Sequence, residues 1–198
     1  MERGKFIVFE GLDGSGKTTQ AGLLARFLEF QGKEVVSTSE PTGEGDAGQV
    51  IKKVLMREEM RSPRDLQELF AEDRKVHLST VILPALDAGK IVISDRYFLS
   101  SIAFGSIGCD FEWLIGLNAE FPNPDITFFL NVLPEHCIER IYAHKRDIKL
   151  FERPEALKKA WETYQKLPER FPNIHIIDGE RPIDPIFEEV KAKIAALF

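Results

Sequence analysis

The sequence Gly11-Leu12-Asp13-Gly14-Ser15-Gly16-Lys17-Thr18 decides the fold of this 198-residue chain. It fits the pattern G-x-x-x-x-G-K-[ST] without a mismatch, follows an apolar run at residues 6–9 and precedes leucines at helical spacing. In that strand–turn–helix context the pattern predicts a phosphate-binding loop, because glycines let successive backbone N–H groups point inward at an anion. The helix that starts there adds its positive dipole end. We expect Lys17 to contact the β- and γ-phosphates of a nucleotide and the Thr18 hydroxyl to bind Mg²⁺.

Apolar runs typical of strands alternate with helical patterns, which indicates βαβ units, a parallel sheet and right-handed crossovers. Ser62-Pro63 predicts the start of a helix that bends or breaks near Pro84, because proline cannot continue the helical hydrogen bonding. Residues 100–108 are predicted to mix helix and loop, and 185–198 to form a final helix. Strands are predicted at about residues 5–10, 34–39, 91–94, 126–132 and 174–177. No linker is visible, so we predict a single domain over residues 1–198.

Composition excludes several classes of protein. The formal net charge is −6, which disfavours a nucleic-acid polymer as partner. The two cysteines, Cys109 and Cys137, have no metal-binding spacing and are expected to be reduced thiols. Residues 1–5 lack the apolar stretch of a signal peptide, and no apolar run approaches the roughly 18 residues of a membrane span. We therefore expect a cytoplasmic protein without a membrane partner.

Three charged side chains are candidates for work on phosphates. Asp95 follows an apolar strand, as a metal-holding carboxylate of this fold class does, although a carboxylate there also suits a turn cap. Arg96 comes next and suits a second phosphate, bound by its fork of donors, with a surface Asp–Arg pair as the alternative. Asp13 lies inside the phosphate-binding loop and needs a compensating partner. A substrate hydroxyl is the partner we favour, with Arg96 or Mg²⁺ nearby.

Phe70 and Arg74 are one helical turn apart and project from one face of a helix. An aromatic face beside a fork of donors can bind a nucleobase by stacking and by hydrogen bonds to its edge. Taken alone, the pair is more typical of a core phenylalanine and a solvated arginine. His77 is interpreted as a helix-face residue rather than a catalytic base.

A basic stretch contains Arg140, Lys145, Arg146, Lys149 and Arg153. One interpretation is a solvated surface, the usual outcome for charged runs. The other is a mobile lid at about residues 144–153 that folds over the triphosphate and stabilises the transferring phosphoryl group. Because position 14 is glycine, the loop itself offers no arginine to the γ-phosphate, and this favours the lid.

These motifs together resemble the thymidylate kinase family, and the similarity covers nearly the whole chain. The phosphate-binding loop with its flanks, residues 9–20, is similar to the opening of that family, including Asp13. Glu40-Pro41 matches the family's second loop. The segments that carry the rest of the resemblance are Leu69-Phe70-Ala71-Glu72-Asp73-Arg74, Asp95-Arg96-Tyr97, Ser100-Ser101 and Ala103-Phe104-Gly105.

The resemblance implies a P-loop NTPase fold, a three-layer α/β/α arrangement with a five-stranded parallel sheet. It implies ATP as phosphoryl donor with Mg²⁺, dTMP as acceptor with dUMP as a further candidate, and a homodimer. Implied catalytic residues are Lys17, Asp13, Arg96 and Arg146, and implied metal ligands are Thr18 and Asp95. ATP would contact Gly11, Leu12, Asp13, Gly14, Ser15, Gly16, Lys17, Thr18, Lys145 and Arg146. The acceptor would contact Asp13, Glu40, Pro41, Phe70, Arg74, Arg96, Ser101 and Phe104, with Phe104 crowding the 2′ position of the sugar.

The chain departs from the family pattern at three places. Ser39 stands where many members carry an arginine before Glu-Pro, Phe104-Gly105-Ser106 replaces Tyr-Gln-Gly, and Lys149-Leu150-Phe151-Glu152 replaces D-R-x-E. Two alternatives therefore stay open. One is a P-loop kinase for another nucleoside or monophosphate, in which Glu10 or Asp95 would be the base for a substrate hydroxyl. The other is a nucleotide switch that hydrolyses ATP slowly and has no acceptor site.

Overall fold

A computed structural model describes residues 3–143, 150–151 and 153–197. The strands are β1 (Phe6–Glu10), β2 (Val35–Ser39), β3 (Ile91–Asp95), β4 (Ile126–Asn131) and β5 (Ile174–Asp178). The α-helices are α1 (Lys17–Phe30), α2 (Gly45–Leu55), α3 (Pro63–His77), α4 (Leu83–Asp87), α5 (Phe98–Gly105), α6 (Phe111–Asn118), α7 (Pro134–Ala143), α8 (Pro154–Tyr164) and α9 (Ile183–Ile194). A π-helical turn, Leu78–Ile82, joins α3 to α4, and short 3₁₀ turns cover Leu167–Glu169 and Ala195–Leu197.

The strands form one parallel sheet in the order β2-β3-β1-β4-β5. Strand β1 lies at its centre and is buried along its whole length, which explains its continuous apolar sequence. Phe6 and Val8 belong to a core on one face, together with residues of α4, α5 and α8. Ile7 and Phe9 belong to a second core on the other face, with α1 and α9. Two apolar layers around one sheet confirm the predicted three-layer α/β/α fold with five parallel strands.

Local signals set the ends of several helices. The Ser62 side chain accepts a hydrogen bond from the Asp65 N–H at 3.1 Å, and Pro63 is the first residue of α3, as predicted. The break predicted near Pro84 is a π-helical turn just before it, and the chain continues as helix. Pro84 has no N–H to donate and its ring crowds the carbonyl four residues earlier, so a wider turn relieves the strain.

Two other helices differ in part from the prediction. Helix α5 covers residues 98–105 and turns follow at 106–108, so the predicted mixture of helix and loop at residues 100–108 is confirmed, but the helix begins two residues before that stretch. Almost every residue of α5 is buried, so packing rather than a polar–apolar pattern defines it, and the pattern was the only sequence signal. The last helix begins at Ile183 rather than at Pro185, because proline is tolerated in the first turn.

Most of the predicted lid lies outside the described residues, including Lys145, Arg146 and Lys149. The lid and the extent of the single domain stay predictions. Within the ranges that the structure describes, no helix is long and apolar enough to cross a membrane.

Candidate active site

The phosphate-binding loop connects β1 to α1 and is shaped by glycines. Gly11, Gly14 and Gly16 have φ angles of 143°, 83° and 96°, which side chains disfavour. Lys17 opens α1, and its Nζ donates to the Leu12 carbonyl at 2.7 Å. Burial disfavours the charged ammonium group and lowers the pKa of Lys17 to about 8. The lysine is thus held inside the loop, not extended into solvent.

Gly14 lies against helix α7. A Cβ atom at this position would be 2.7 Å from the Cys137 carbonyl oxygen, so no side chain fits there without displacing backbone. Arg140 lies one turn further along α7 and donates to the Gly14 carbonyl at 3.4 Å and to the Gly179 carbonyl at 3.2 Å. Arg140 was predicted as part of a solvated surface or lid, and the structure instead packs it against the backbone of the loop.

The two predicted metal ligands lie in contact. The Thr18 hydroxyl donates to Asp95 Oδ2, while Asp95 Oδ1 is buried and has no hydrogen-bond partner among the described residues. The sheet register pairs Phe9 with Asp95, so β3 ends beside the end of β1, from which the loop leads to Thr18 at the start of α1. A hydroxyl and a carboxylate oxygen are the ligand types that Mg²⁺ accepts beside nucleotide phosphates, and the residues present therefore fit this ion.

Arg96 connects the phosphate-binding loop to the start of α5. Its φ angle of 77° is unusual for a residue with a side chain, and such conformations are concentrated at functional sites. One terminal nitrogen donates to the Gly11 carbonyl at 2.9 Å and to Ser100 Oγ at 2.8 Å. The other donates to Asp13 Oδ1 at 3.1 Å, so Asp13 has the compensating partner that its position requires. The guanidinium also stacks over the Phe104 ring at 5.2 Å.

Arg74 is buried, with 1% of its surface exposed, and is not the solvated arginine of the simpler interpretation. Its Nε donates to Glu40 Oε2 at 2.7 Å, and its terminal nitrogens donate to Asn118 Oδ1 at 2.7 Å and Ser101 Oγ at 2.8 Å. His77 Nδ1 lies 3.0 Å from Glu40 Oε1, so the histidine supports the same carboxylate. Nothing in the sequence marks Asn118 as a partner, whereas the three-residue spacing from Arg74 placed His77 on the same helix face.

A cavity of about 510 Å³ opens beside the phosphate-binding loop. Its walls include the eight residues predicted for the acceptor, namely Asp13, Glu40, Pro41, Phe70, Arg74, Arg96, Ser101 and Phe104. Residues that were not predicted to contact the acceptor also line it, among them Gln67, Tyr97 and Phe151.

Phe151 belongs to the segment predicted as the lid, and its ring centroid lies 5.6 Å from that of Phe104. The neighbouring Leu150 N–H donates to the Leu55 carbonyl of α2 at 3.1 Å. The described end of the predicted lid, residues 150–151, therefore contacts both the cavity and helix α2. Arg153, the next described residue, is exposed and precedes α8.

The family comparisons agree with this geometry. The model of the thymidylate kinase family matches residues 9–190. The chain is 38% identical to the probable thymidylate kinase of Pyrococcus horikoshii, covering 97% of this chain and 96% of the relative. It is 39% identical to the probable thymidylate kinase of Thermococcus kodakarensis, with coverages of 97% and 98%. It is 35% identical to the thymidylate kinase of Desulfotalea psychrophila, with coverages of 98% and 96%.

The chain belongs to the thymidylate kinase family. Membership in a family of nucleoside-monophosphate kinases confirms the predicted enzyme class, a transferase that binds nucleotides. It disfavours the alternative of a slow ATPase switch without an acceptor.

Glu10, one of the two candidate bases for a hydroxyl acceptor, is fully buried. Its carboxylate accepts hydrogen bonds from the Tyr97 N–H at 2.9 Å, from the Ser100 N–H and hydroxyl at 3.1 and 2.5 Å, and from the Tyr164 hydroxyl at 2.8 Å. Burial raises the pKa of the Glu10 carboxyl. This carboxylate fixes the start of α5 to β1, and it would be needed as a base only if the acceptor group were a hydroxyl.

The first of the three departures from the family pattern is at Ser39. Ser39 is exposed at the end of β2 and lines a second cavity with Thr42 and Asp73, whereas the acceptor cavity begins at Glu40. Ser39 is therefore not among the described residues that line the cavity beside the phosphate-binding loop.

Proposed function

We propose that this protein transfers the γ-phosphoryl group of ATP to dTMP, which gives ADP and dTDP. The observation that carries the proposal is the single cavity that brings Phe70 and Arg74 together with Arg96 and Asp13 at the mouth of the phosphate-binding loop. An aromatic ring with a buried arginine beside it, and a second arginine in the same cavity, suit an acceptor that has both a nucleobase and a phosphate.

The loop from Gly11 to Thr18 is the proposed ATP site. Its backbone N–H groups and the N-terminus of α1 would hold the β- and γ-phosphates. The Lys17 ammonium, already desolvated, would gain the phosphate charge as its partner. Thr18 and Asp95 would hold the Mg²⁺ ion, which supplies charge neutralisation on the transferring phosphoryl group.

Arg96 is the proposed ligand of the acceptor phosphate, and Asp13 of the sugar 3′-hydroxyl. The existing Arg96–Asp13 hydrogen bond of 3.1 Å places the two groups side by side, as the two ends of a 5′-phosphorylated sugar require. Phe104 would then fill the space at the 2′ carbon and disfavour ribose. No general base is needed, because the attacking phosphate oxygen is already an anion.

Phe70 and Arg74 are the proposed base site. Phe70 would stack on the pyrimidine, and Arg74 would donate to its C4 carbonyl. The guanidinium has five N–H groups, of which three are given to Glu40, Asn118 and Ser101. Two N–H groups remain for a substrate. The three hydrogen bonds that Arg74 already makes fix the orientation of the guanidinium and thereby the direction of these two N–H groups.

Further parts of the proposal follow from the family resemblance. Lys145 and Arg146 would act on the transferring phosphoryl group from the lid, and Glu40 and Pro41 would close the base site. We also propose a homodimer in the cytoplasm, with dUMP as a weaker acceptor.

A coupled assay for ADP formation tests the proposal, with ATP, Mg²⁺ and a panel of dTMP, dUMP, dCMP, dGMP and dAMP. We expect dTMP to exceed dCMP by at least about tenfold in kcat/KM, because an arginine facing the cytosine amino group leaves both donors unpaired. The 5-methyl group should favour dTMP over dUMP by about 1 kcal/mol, as one buried carbon. Equal use of all five acceptors, or a preference for a purine, would refute the assignment.

A further inference from the structure

Gln67 lies in α3, one helical turn before Phe70 and two turns before Arg74. This spacing places the three side chains on one face of the helix. All three line the acceptor cavity. Gln67 is therefore next to the proposed base site, although no motif of the sequence singled it out.

The Gln67 side chain is buried but incompletely paired. Only 2% of its surface is exposed, and its amide oxygen has no hydrogen-bond partner within the described residues. Folded proteins leave few buried polar atoms in this state, and each exception calls for a ligand or another reason. Within the same described ranges, the atoms that share this condition belong to Ser15, Gln20, Gln67, Asp95 and Tyr97. Ser15 and Asp95 belong to the proposed ATP and metal sites, and only Gln67 and Tyr97 line the acceptor cavity.

Gly105 makes room for this amide. A Cβ atom at position 105 would lie 2.9 Å from Gln67 Cδ, so the amide packs directly on the glycine backbone. The glycine immediately follows Phe104, the residue proposed to lie against the sugar. The amide is held in the cavity wall, and rotation about its terminal bond alone decides whether oxygen or nitrogen is presented.

We propose that Gln67 is a base-binding residue whose amide pairs with the pyrimidine N3–H and a neighbouring carbonyl. The inference rests on the proposed function, in which Arg74 takes the C4 carbonyl. The next group on that ring edge, N3–H, is a donor, and arginine has no acceptor to offer it. Glu40 and Ser101 already accept hydrogen bonds from Arg74, whereas the Gln67 oxygen accepts none from the described residues.

The two base-binding side chains then have different tasks. The Gln67 amide can turn to match either a thymine or a cytosine edge, so it strengthens binding of any pyrimidine. Arg74 can only donate, so the choice between the two bases depends on it.

The test compares dTMP with its 2,4-difluorotoluene isostere, an acceptor of nearly the same shape whose ring lacks the N3–H and the carbonyls. Both acceptors are assayed with the wild-type enzyme and with Gln67→Met, which keeps the side-chain length. We expect Gln67→Met to lower kcat/KM for dTMP by at least about fivefold and to leave the isostere unchanged, because only dTMP loses hydrogen bonds.

Gln20→Met is the matched control. Gln20 is equally buried and also has an unpaired amide oxygen, but it lies outside the acceptor cavity and its nitrogen donates to the Ile183 carbonyl at 3.0 Å. The ratio of dTMP to isostere activity should stay at the wild-type value in this variant. If Gln67→Met does not fold, Gln67→Asn gives the same test, because it withdraws the amide by one methylene and keeps the polarity.

Each outcome decides between explanations. An equal loss with both acceptors would show that Gln67 only supports the fold, and an unchanged dTMP activity would show that it does not contact the base. Either result overturns the inference while the wild-type enzyme still phosphorylates dTMP. A wild-type enzyme that leaves dTMP unphosphorylated would instead contradict the proposed function itself.

Discussion

Replacing Arg74 by methionine should damage stability and base selection together. The arginine is buried and bonded to three side chains, among them the carboxylate of Glu40, which is only 5% exposed. Methionine fills most of the arginine's volume but supplies no donor. The variant therefore leaves the Glu40 carboxylate buried without its main partner, and an unpaired buried charge lowers the stability of the folded protein.

The expected loss of stability follows from that pair. Removing one partner of a buried ion pair destabilises by about 3–5 kcal/mol. His77 remains within 3.0 Å of Glu40, so the value should lie near 3 kcal/mol, the lower end of that range. In a protein of about 150–250 residues each kcal/mol shifts the melting temperature by about 2–4 °C, which gives a decrease of about 6–12 °C.

Thermal melting and initial rates with dTMP and dCMP measure the two effects separately. The dTMP/dCMP ratio of kcat/KM should fall about tenfold, since the donor to the C4 carbonyl is gone. The double variant Glu40→Gln/Arg74→Met removes the unpaired charge, so it should recover much of the melting temperature but none of the base selection. A melting temperature within 2 °C of wild type, or a ratio that does not change, would refute this account of the network.

Three other variants test the proposed ATP side. Lys17→Ala should lower kcat/KM at least about a hundredfold, by analogy with the loss of one preorganised donor. The pKa of Lys17 is about 8 in the folded protein against its usual 10.5, so the wild-type protein without nucleotide should become more stable as the pH rises from 8 to 10.5. Chemical-denaturation curves of Lys17→Ala should lack this rise in stability. Gly14→Ala should destabilise by about 1–3 kcal/mol in the same measurement, because of its φ angle of 83° and the contact with the Cys137 carbonyl, and a neutral effect would argue that the loop is free of α7. Thr18→Val should raise the Mg²⁺ concentration for half-maximal rate about tenfold through loss of one oxygen ligand; an unchanged Mg²⁺ titration would remove Thr18 from the metal site.

The elements that were predicted well are those whose signals are local. The start of α3 is defined by a serine cap and a proline within two residues, and β1 by four consecutive apolar residues. The π-helical turn before Pro84 was not predicted, because the sequence identifies the proline but not how the carbonyls of the preceding turn rearrange. Helix α5 was predicted only in part, since a helix buried on all sides has no amphipathic period to detect.

The candidate site shows the same difference between local and long-range signals. The place of residues 11–18 between β1 and α1, and the need for glycines there, could be predicted because adjacent residues in fixed spacing carry the signal. The burial of Arg74 could not be predicted, because its partners come from the loop after β2, from α5 and from α6, and nothing within its own helix distinguishes it from a solvated arginine. Gln67 was not predicted as a site residue for the same reason, because an unpaired amide oxygen can be identified only when the surrounding atoms are known.

The pairing of β1 with β3 explains how one small sheet can hold a donor and an acceptor at a fixed separation. Phe9 pairs with Asp95, so the loop that follows β1 and the Arg96 that follows β3 leave the sheet side by side. Glu10 then ties the start of α5 to β1 through its carboxylate, and Arg96 reaches the Gly11 carbonyl. The guanidinium assigned to the acceptor phosphate is thus held by the loop assigned to ATP, and the two sites share one rigid support. Phosphoryl transfer depends on positioning and charge more than on covalent help, so in the proposed reaction this shared support would supply a large part of the catalysis.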